Sequence, residues 1–307
     1  MTSPIPFGFS STAADVLEGV ELSGRNVIVT GGAAGIGMET SRALAAAGAA
    51  VAIAARRPDE AERAVAEMRQ AMPAARLSVR RLDLSDLSSV QEFAECWDEP
   101  LHVLINNKGV MAIPDLQRSA EGREMQFATN YLGHFALTLG LRRHLARANG
   151  ARVVSVASTG NLFAPVFWDD PDFRFIPYDP LLAYGQSKTA CILMSVGIRQ
   201  AWACDGIMSN ALNPGAIATG LQKHTGGLRT PEHLRKTIER GASTTVLLAG
   251  SPLVEGVSGK YFDDCQEAPV VDERGALPFK GVARYAVDPQ NAFRLWEMAT
   301  RMVSSPL

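Results

Sequence analysis

Thr30-Gly-Gly-Ala-Ala-Gly-Ile-Gly37 decides how the rest of this 307-residue chain is read. Val27, Ile28 and Val29 ahead of it make a short apolar strand, and Met38 to Ala47 behind it reads as a helix closed by Gly48. A strand feeding a helix through such a turn is a phosphate-binding βα unit. Gly31 permits the turn, Gly35 lets backbone N–H groups approach a pyrophosphate, and Gly37 lets the helix pack close to the strand, with Ile36 between them. A strand-to-helix turn also needs glycine for conformational reasons alone, so the turn by itself does not establish a nucleotide site.

The second informative stretch is Tyr184-Gly-Gln-Ser-Lys188. Residues four apart on a helix lie on one face, one turn from each other. A phenol ordinarily ionises near ~10, too high for a base at neutral pH, and a neighbouring ammonium favours the phenolate. Tyr184 beside Lys188 is thus a candidate general acid/base, although the same spacing also suits an ordinary amphipathic face.

Apolar strands near 27, 51, 77, 103, 153, 208 and 260 alternate with helical stretches near 38, 60, 87, 123, 185, 235 and 290. Such alternation implies an α/β fold: a seven-stranded parallel sheet, doubly wound, flanked by helices on both faces, with its site at the C-terminal edge of the strands. Residues 1–21 precede the first strand and read as an arm, leaving 22–307 as a single dinucleotide-binding and catalytic domain.

The two motifs, in this order and separation, resemble the short-chain dehydrogenase/reductase family, over about Leu22 to Cys265. The resemblance implies a Rossmann domain and an oxidoreductase, a carbonyl reductase or alcohol dehydrogenase, that uses a nicotinamide cofactor and a Ser-Tyr-Lys triad supported by an asparagine. In Arg152-Val-Val-Ser-Val-Ala-Ser158 the family's serine falls on Ser158, with Ser155 as near competitor. Asn130, in Phe127-Ala-Thr-Asn-Tyr-Leu-Gly-His134, matches the asparagine that supports a proton relay to the lysine. Asn213-Pro-Gly-Ala-Ile-Ala-Thr219 matches the family's Pro-Gly segment, so the resemblance puts Pro214, Gly215 and Ile217 against the cofactor and the later Thr219 at its nicotinamide end. Asp83, with Leu84, matches the acidic residue that contacts adenine. Tyr184 and Lys188 also border the cofactor.

Asn106-Asn107-Lys108-Gly109 departs from the family pattern, because relatives carry a small residue where Lys108 stands. At that adenosine-side position a lysine either runs out along the groove and adds positive charge, or crowds the adenosine, or is a substitution introduced into the chain. Cofactor choice turns on the end of the second strand, Ala50 to Ala55, where NAD enzymes place an acid. Ala55 is followed instead by Arg56 and Arg57. A guanidinium suits a 2′-phosphate, which favours NADP(H) over NAD(H), although two arginines at a solvated loop start are also ordinary surface residues.

A net charge of −2 and the lack of a basic stripe interleaved with aromatics give no reason to expect a nucleic-acid partner. The N-terminal stretch lacks a basic and an apolar region, and Ala43 to Ala55 is too short to span a bilayer, which takes about 20 residues. A cytoplasmic protein without a membrane span is expected. Cys96, Cys191, Cys204 and Cys265 show no paired or ligand spacing, so buried free thiols and no metal site are expected.

Two insertions, 159–183 and 220–240, are expected to choose the substrate. The first holds Phe163, Phe167, Trp168, Phe173, Phe175 and Tyr178, six of 21 aromatics, enough to suggest an apolar wall or, equally, rings that anchor the insertion. Asp169, Asp170 and Asp172 read as a solvated turn. In the second, Gly220 to Arg229 reads as a mobile lid before a helix that opens at Thr230-Pro231-Glu232, with Thr230 as N-cap. The arm, Tyr178-Asp-Pro-Leu-Leu-Ala-Tyr184 and Tyr261-Phe-Asp-Asp-Cys265 resemble the retinol-dehydrogenase-like branch, which includes the oxidoreductase portion of WW-domain-containing oxidoreductases. That branch implies NADP(H) and a bulky, apolar ketone, aldehyde or alcohol. A non-redox step on the same fold (isomerisation, cyclisation or dehydration) and a non-catalytic dinucleotide sensor are the alternatives. Helices 120–148 and 184–204 are candidates to pair as a homodimer unless the long insertion covers that face.

Overall fold

The computed structural model describes residues 4–228 and 230–304. Its main sheet takes strands β1 (Asn26–Thr30), β2 (Ala50–Ala55), β3 (Arg76–Arg81), β4 (Val103–Asn106), β5 (Arg152–Val156), β6 (Met208–Asn213), β7 (Tyr261–Asp263) and β8 (Gln266–Glu267). Their spatial order is β3-β2-β1-β4-β5-β6-β7-β8. Seven strands run parallel and β8 returns antiparallel to β7, so the sheet has eight strands rather than the seven expected. The extra strand is two residues long, too short to leave a pattern in the sequence. Strands β9 (Val270–Val271) and β10 (Val282–Ala283) form a separate small pair.

Helices α1 (Ala13–Leu17), α2 (Gly35–Ala46), α3 (Pro58–Ala71), α4 (Leu87–Glu95), α5 (Met125–Phe127), α6 (Gly133–Gly140), α7 (Arg142–Arg147), α8 (Pro180–Trp202), α9 (Ile238–Gly250) and α10 (Pro289–Ser304) fill the connections. Because successive strand residues point to opposite faces, each strand feeds two cores. Val27, Val29, Val51, Ile53, Val103 and Ile105 pack with Val16 of α1, Leu44 of α2 and Val246 of α9. Ile28, Ala52, Ala54 and Leu104 pack with Phe135 of α6, Leu193 of α8 and Leu295 of α10. Chain order reverses beside β1, between β2 and β4, and this is where a doubly wound sheet opens a crevice at its carboxyl edge.

The helix expected at Thr230-Pro231 starts later. Pro231 opens only a 3-10 turn, Glu232–Leu234, because Arg235 is extended and pairs with Ala216 as a β-bridge. Thr237 then caps α9, its hydroxyl accepting from the Arg240 N–H at 3.3 Å. Asp170 and Asp172 are not solvated as expected. The Asp170 carboxylate accepts from the N–H groups of Arg174, Phe175 and Ile176, while Asp172 accepts from the Glu124 N–H and pairs with Arg123. Both acids are buried because they hold the insertion's backbone and dock it on α5. Among the described residues no group of three or more potential ligands is placed to hold a metal ion.

Within the insertion, Phe167, Phe173 and Tyr178 stack edge to face, and Trp168 lies under Arg294, whereas Phe175 is 90 % exposed. Cys191 and Cys265 are buried as expected, but Cys96 and Cys204 are exposed, Cys96 at the C-cap of α4 and Cys204 within the 3-10 turn Ala203–Asp205 that follows α8. Helix α10 lies along α8, with Trp296 set between Phe135 and Trp202 at 5.1 and 5.4 Å. No described helix is long and apolar enough to cross a membrane.

Candidate active site

The glycine-rich turn joins β1 to α2 with Gly31 and Gly35 in the left-handed region. A methyl group on Gly37 would collide with the Gly31 carbonyl and with Asn107 Nδ2, so the helix start, β1 and the end of β4 close on one another only around glycine. Ile36 and Ile217 pack towards Gly241 of α9. Thr30 holds this corner together. Its hydroxyl accepts from the N–H groups of Asn107 (2.9 Å) and Lys108 (3.0 Å), while Asn107 Nδ2 donates to the Thr30 carbonyl (2.8 Å).

Tyr184 and Lys188 lie one turn apart on α8, both buried. Asp179 starts that helix, accepting from the Leu181 and Leu182 N–H groups ahead of Pro180. Lys188 Nζ donates to the Val156 carbonyl at the end of β5 (2.9 Å) and sits 5.7 Å from the centre of the Tyr184 ring. Ser158 follows β5 and caps the 3-10 turn Thr159–Leu162, accepting from the Gly160 N–H at 3.0 Å. A methyl on Gly160 would lie 2.9 Å from Tyr184 Cε1 and 3.5 Å from Ser158 Oγ, so this glycine brings serine and tyrosine to one spot. Ser155, by contrast, is buried within the sheet, away from solvent.

Asn130 reaches the same corner through a π-helical turn, Ala128–Leu132, between α5 and α6. Such turns carry one more residue than the α-helix and are frequent at functional sites. Asn130 Oδ1 accepts from the Val110 N–H, and Nδ2 donates to the Val110 carbonyl and to Ser187 Oγ. Asn130 Oδ1 and Lys188 Nζ lie 3.2 and 3.5 Å from where a Gly109 methyl would stand. Asn130, Ser158, Tyr184 and Lys188 thus converge around the ends of β4 and β5.

The other expected residues line the carboxyl edge with different partners. Asp83 accepts from the Ser85 N–H and hydroxyl (3.0 and 2.6 Å) in a turn after β3, with Leu84 buried behind it under Gly133. Arg56 and Arg57 are exposed at the end of β2; Arg57 pairs with Glu60 at 2.6 Å, and Arg56 has no acidic partner among the described residues. Lys108 lies across the glycine-rich turn, its Cδ 3.1 Å from a methyl position on Gly31. Its ammonium is held below the usual lysine range by burial first and then by the positive charges of Arg56, Lys223 and Arg57. Pro214 and Gly215 follow β6, and Thr219 closes over Gly35, its Cγ2 3.4 Å from a methyl position there, while capping the short turn Gly220–His224.

Two contributors escaped the sequence reading: Thr30, which ends the apolar strand, and His134, which sits four residues from Asn130 and so on its helix face. His134 Nε2 meets Thr30 Oγ1 and Nδ1 meets the Asn130 carbonyl, both at 2.9 Å. Burial holds His134 down at about 4, so it stays neutral and joins the glycine-rich corner to the π-turn.

A sequence profile of short chain dehydrogenases matches residues 25–227. A Streptomyces antibioticus protein described as "Probable oxidoreductase" is 50 % identical over 294 residues, covering 92 % of this chain and 98 % of its own. Retinol dehydrogenase 12 of Mus musculus is 33 % identical over 291 residues, covering 92 % and 88 %. A solved structure of an uncharacterised protein from Mycobacterium paratuberculosis superposes with a TM-score of 0.76 at 31 % identity, covering 96 % and 98 % of the two chains. With the glycine-rich turn, the Tyr-x-x-x-Lys face and these relatives together, the chain belongs to the short-chain dehydrogenase family, with retinol-dehydrogenase-like relatives, and is an oxidoreductase by that membership.

Proposed function

We propose that the protein interconverts a bulky apolar ketone or aldehyde and its alcohol with NADP(H), using Tyr184 as general acid/base. The observation that carries this is the convergence of Ser158 Oγ and the Tyr184 ring on Gly160, with the Lys188 ammonium beside that ring. The residues present suit a dinucleotide: a glycine-only turn at the start of α2 offers backbone N–H groups to a pyrophosphate, and Arg56, Lys108 and Lys223 have no acidic partner among the described residues. When bound, a reduced nicotinamide supplies the hydride. Ser158 orients the carbonyl oxygen, and Tyr184 gives its proton to that oxygen as negative charge develops. Lys188 stabilises the phenolate left behind. Both amide hydrogens of Asn130 are committed and its backbone carbonyl already accepts from His134 Nδ1 and Cys191 Sγ, so a relay water at this residue is held by Oδ1, which accepts only from the Val110 N–H.

Arg56 is assigned the 2′-phosphate ahead of Arg57, whose guanidinium is engaged by Glu60. The apolar wall is assigned to Phe163, which packs beside Gly185 and stacks on Phe279 at 5.5 Å. A named retinol dehydrogenase among the relatives agrees with a bulky apolar substrate. Gly220 to Arg229 acts as the lid in this scheme, with Arg229 outside the described residues. The arm and the two insertions belong to one catalytic domain, and we assign the protein to the cytoplasm. We keep the pairing of two copies through helices 120–148 and 184–204 in this proposal, at the part of that face left free by α10, whose Trp296 packs between Phe135 and Trp202.

Tyr184→Phe is expected to lower turnover by about 10²–10⁴-fold with NADPH affinity kept; near-normal turnover overturns the mechanism. The position of Lys108 across Gly31 favours a second scheme, in which the side chain closes the adenosine groove and the fold serves a non-redox step. Titration with NADPH and NADH beside Lys108→Ala separates the two, because binding seen only after the substitution supports closure.

A further inference from the structure

Lys236 is the most completely buried cation of the described chain outside the catalytic corner, its side chain 1 % exposed. It stands between the 3-10 turn Glu232–Leu234 and α9, where its backbone N–H donates to the Ala216 carbonyl at 2.9 Å. Its stem lies flat on Gly215, with Cδ and Cε 3.0 and 3.2 Å from a methyl position there. At φ +97° Gly215 adopts a conformation that suits glycine, and the missing side chain leaves the room that the lysine stem fills. Nζ lies 2.5 Å from Asp264 Oδ1, an ion pair without hydrogen-bond alignment that leaves the buried nitrogen with no hydrogen-bond acceptor among the described residues, and it lies 5.4 Å from the centre of the Phe9 ring.

Each partner is itself held. Asp264 and Cys265 are consecutive residues in the left-handed region, in the turn between β7 and β8, a conformation that non-glycine residues seldom adopt. The turn is fastened to α9 by the Cys265 N–H donating to Thr244 Oγ1 at 3.1 Å. The adjoining Asp263 accepts from Asn213 Nδ2, at the end of β6. The N-terminal arm that carries Phe9 is fastened to β8, since Gln266 Nε2 donates to the Ile5 and Phe7 carbonyls at 3.1 and 2.6 Å. One ammonium therefore connects the segment after β6, the β7–β8 turn and the arm.

Stability alone does not account for such an arrangement. A buried ion pair seldom outperforms a packed apolar residue of similar size, so a methionine would serve the packing equally well. A charge instead fixes geometry, because the pair holds only when Gly215 and Asp264 stand at one distance. We propose that Lys236 is a positioning residue for the nicotinamide end of the cofactor, its ion pair with Asp264 fixing the Pro214–Ala216 segment and the Phe9 arm shielding that pair. This rests on the dinucleotide assignment under Proposed function and on the family resemblance that sets Thr219, at the end of the same segment, by the nicotinamide.

The test compares two ligands, NADPH and 2′-phospho-ADP-ribose, which lacks only the nicotinamide ring; NADH and ADP-ribose are run in parallel. Lys236→Met keeps the stem and removes the charge. It is expected to weaken NADPH about ten-fold while 2′-phospho-ADP-ribose stays within about two-fold, and Lys236→Arg is expected to recover much of the loss. Asp264→Asn removes the partner at a more exposed position and is expected to give the same pattern, which covers the case of a Lys236 variant that does not fold. Equal weakening of both ligands, or undiminished NADPH binding by folded Lys236→Met, overturns the proposal. If the natural chain binds no member of either pair, the dinucleotide assignment fails and the lysine's role falls with it.

Discussion

Lys188 and Lys108 border the same crevice and differ in what surrounds them. Lys188 is buried, donates to the Val156 carbonyl and has the Tyr184 ring and Asn130 as neighbours. Lys108 lies over the glycine-rich turn among Arg56, Arg57 and Lys223, with no acidic partner among the described residues. Neither lysine has an acidic partner among the described residues, but Lys188 is held singly by a carbonyl, whereas the edge around Lys108 gathers like charges that repel one another. In the scheme proposed above, the Lys188 end serves the chemistry and the Lys108 end takes the polyanionic part of the ligand.

The sharpest break in that comparison comes on the catalytic side. Lys188→Met is expected to lower turnover by about 10²–10⁴-fold and also to lower the melting temperature, because it leaves the buried Val156 carbonyl unpaired. Tyr184→Phe changes turnover without that second loss. Steady-state rates paired with melting curves distinguish them, and an unchanged melting temperature for Lys188→Met would show that its ammonium is not a structural donor.

His134 tests the link between the two regions. Its ordinary value of 6.5 falls to about 4 in the folded chain, so the unfolded chain takes up a proton first as pH drops. The stability it contributes is present above 6.5 and lost between 6.5 and 4, a change of about 3 kcal/mol. Glu124, pushed up by burial to about 7, and Asp263, to about 6, act in the opposite sense over much of the same window. The histidine is therefore read from the difference in urea unfolding between the natural chain and His134→Gln. A difference that does not change from pH 7.5 to pH 4.5 would remove His134 from the link.

How legible these regions were follows from the physics behind each signal. Gly31 and Gly37 announce themselves because no other residue fits there, and Tyr184 and Lys188 because a helix fixes their spacing. The π-turn at Asn130 left no trace, since it depends on how α5 and α6 pack rather than on any residue preference. Lys236 was invisible for a related reason: its partners lie 28 and 227 residues away in the chain, at Asp264 and Phe9. The aromatic insertion was half legible. Its composition pointed to packing, yet only the fold shows that Asp170 and Asp172 are its fasteners and that Phe175 is left outside.

On the phosphate edge the expected effects are smaller. Lys108→Met and Arg56→Ala should each weaken NADPH about ten-fold, near 1.4 kcal/mol, and Arg56→Ala should leave NADH little changed. Anion binding raises the Lys108 value from its lowered one, so NADPH affinity should fall as pH rises through that range, and the slope should vanish in Lys108→Met. Fluorescence titrations from pH 7 to pH 10 check both, and tighter NADPH binding by Lys108→Met would mean that the side chain crowds the groove.

Arg57 should matter least, and the reason sharpens the contrast within this edge. Its guanidinium is three residues from Glu60 on the first turn of α3 and meets that carboxylate at 2.6 Å, with both side chains well exposed. Exposed pairs of this kind contribute about 0–1 kcal/mol, because solvent screens them and holding two long chains in one pose costs entropy. Arg57 already has a counter-charge, so a 2′-phosphate gains less from it than from Arg56, which has no acidic partner among the described residues. Arg57→Ala is therefore expected to change NADPH affinity by less than about three-fold and stability by under about 1 kcal/mol. Glu60→Gln is the sharper probe: releasing Arg57 from its partner should tighten NADPH slightly at low salt and do nothing for NADH. Equal tightening of both cofactors would place the effect in the general field of the edge rather than at the 2′-phosphate.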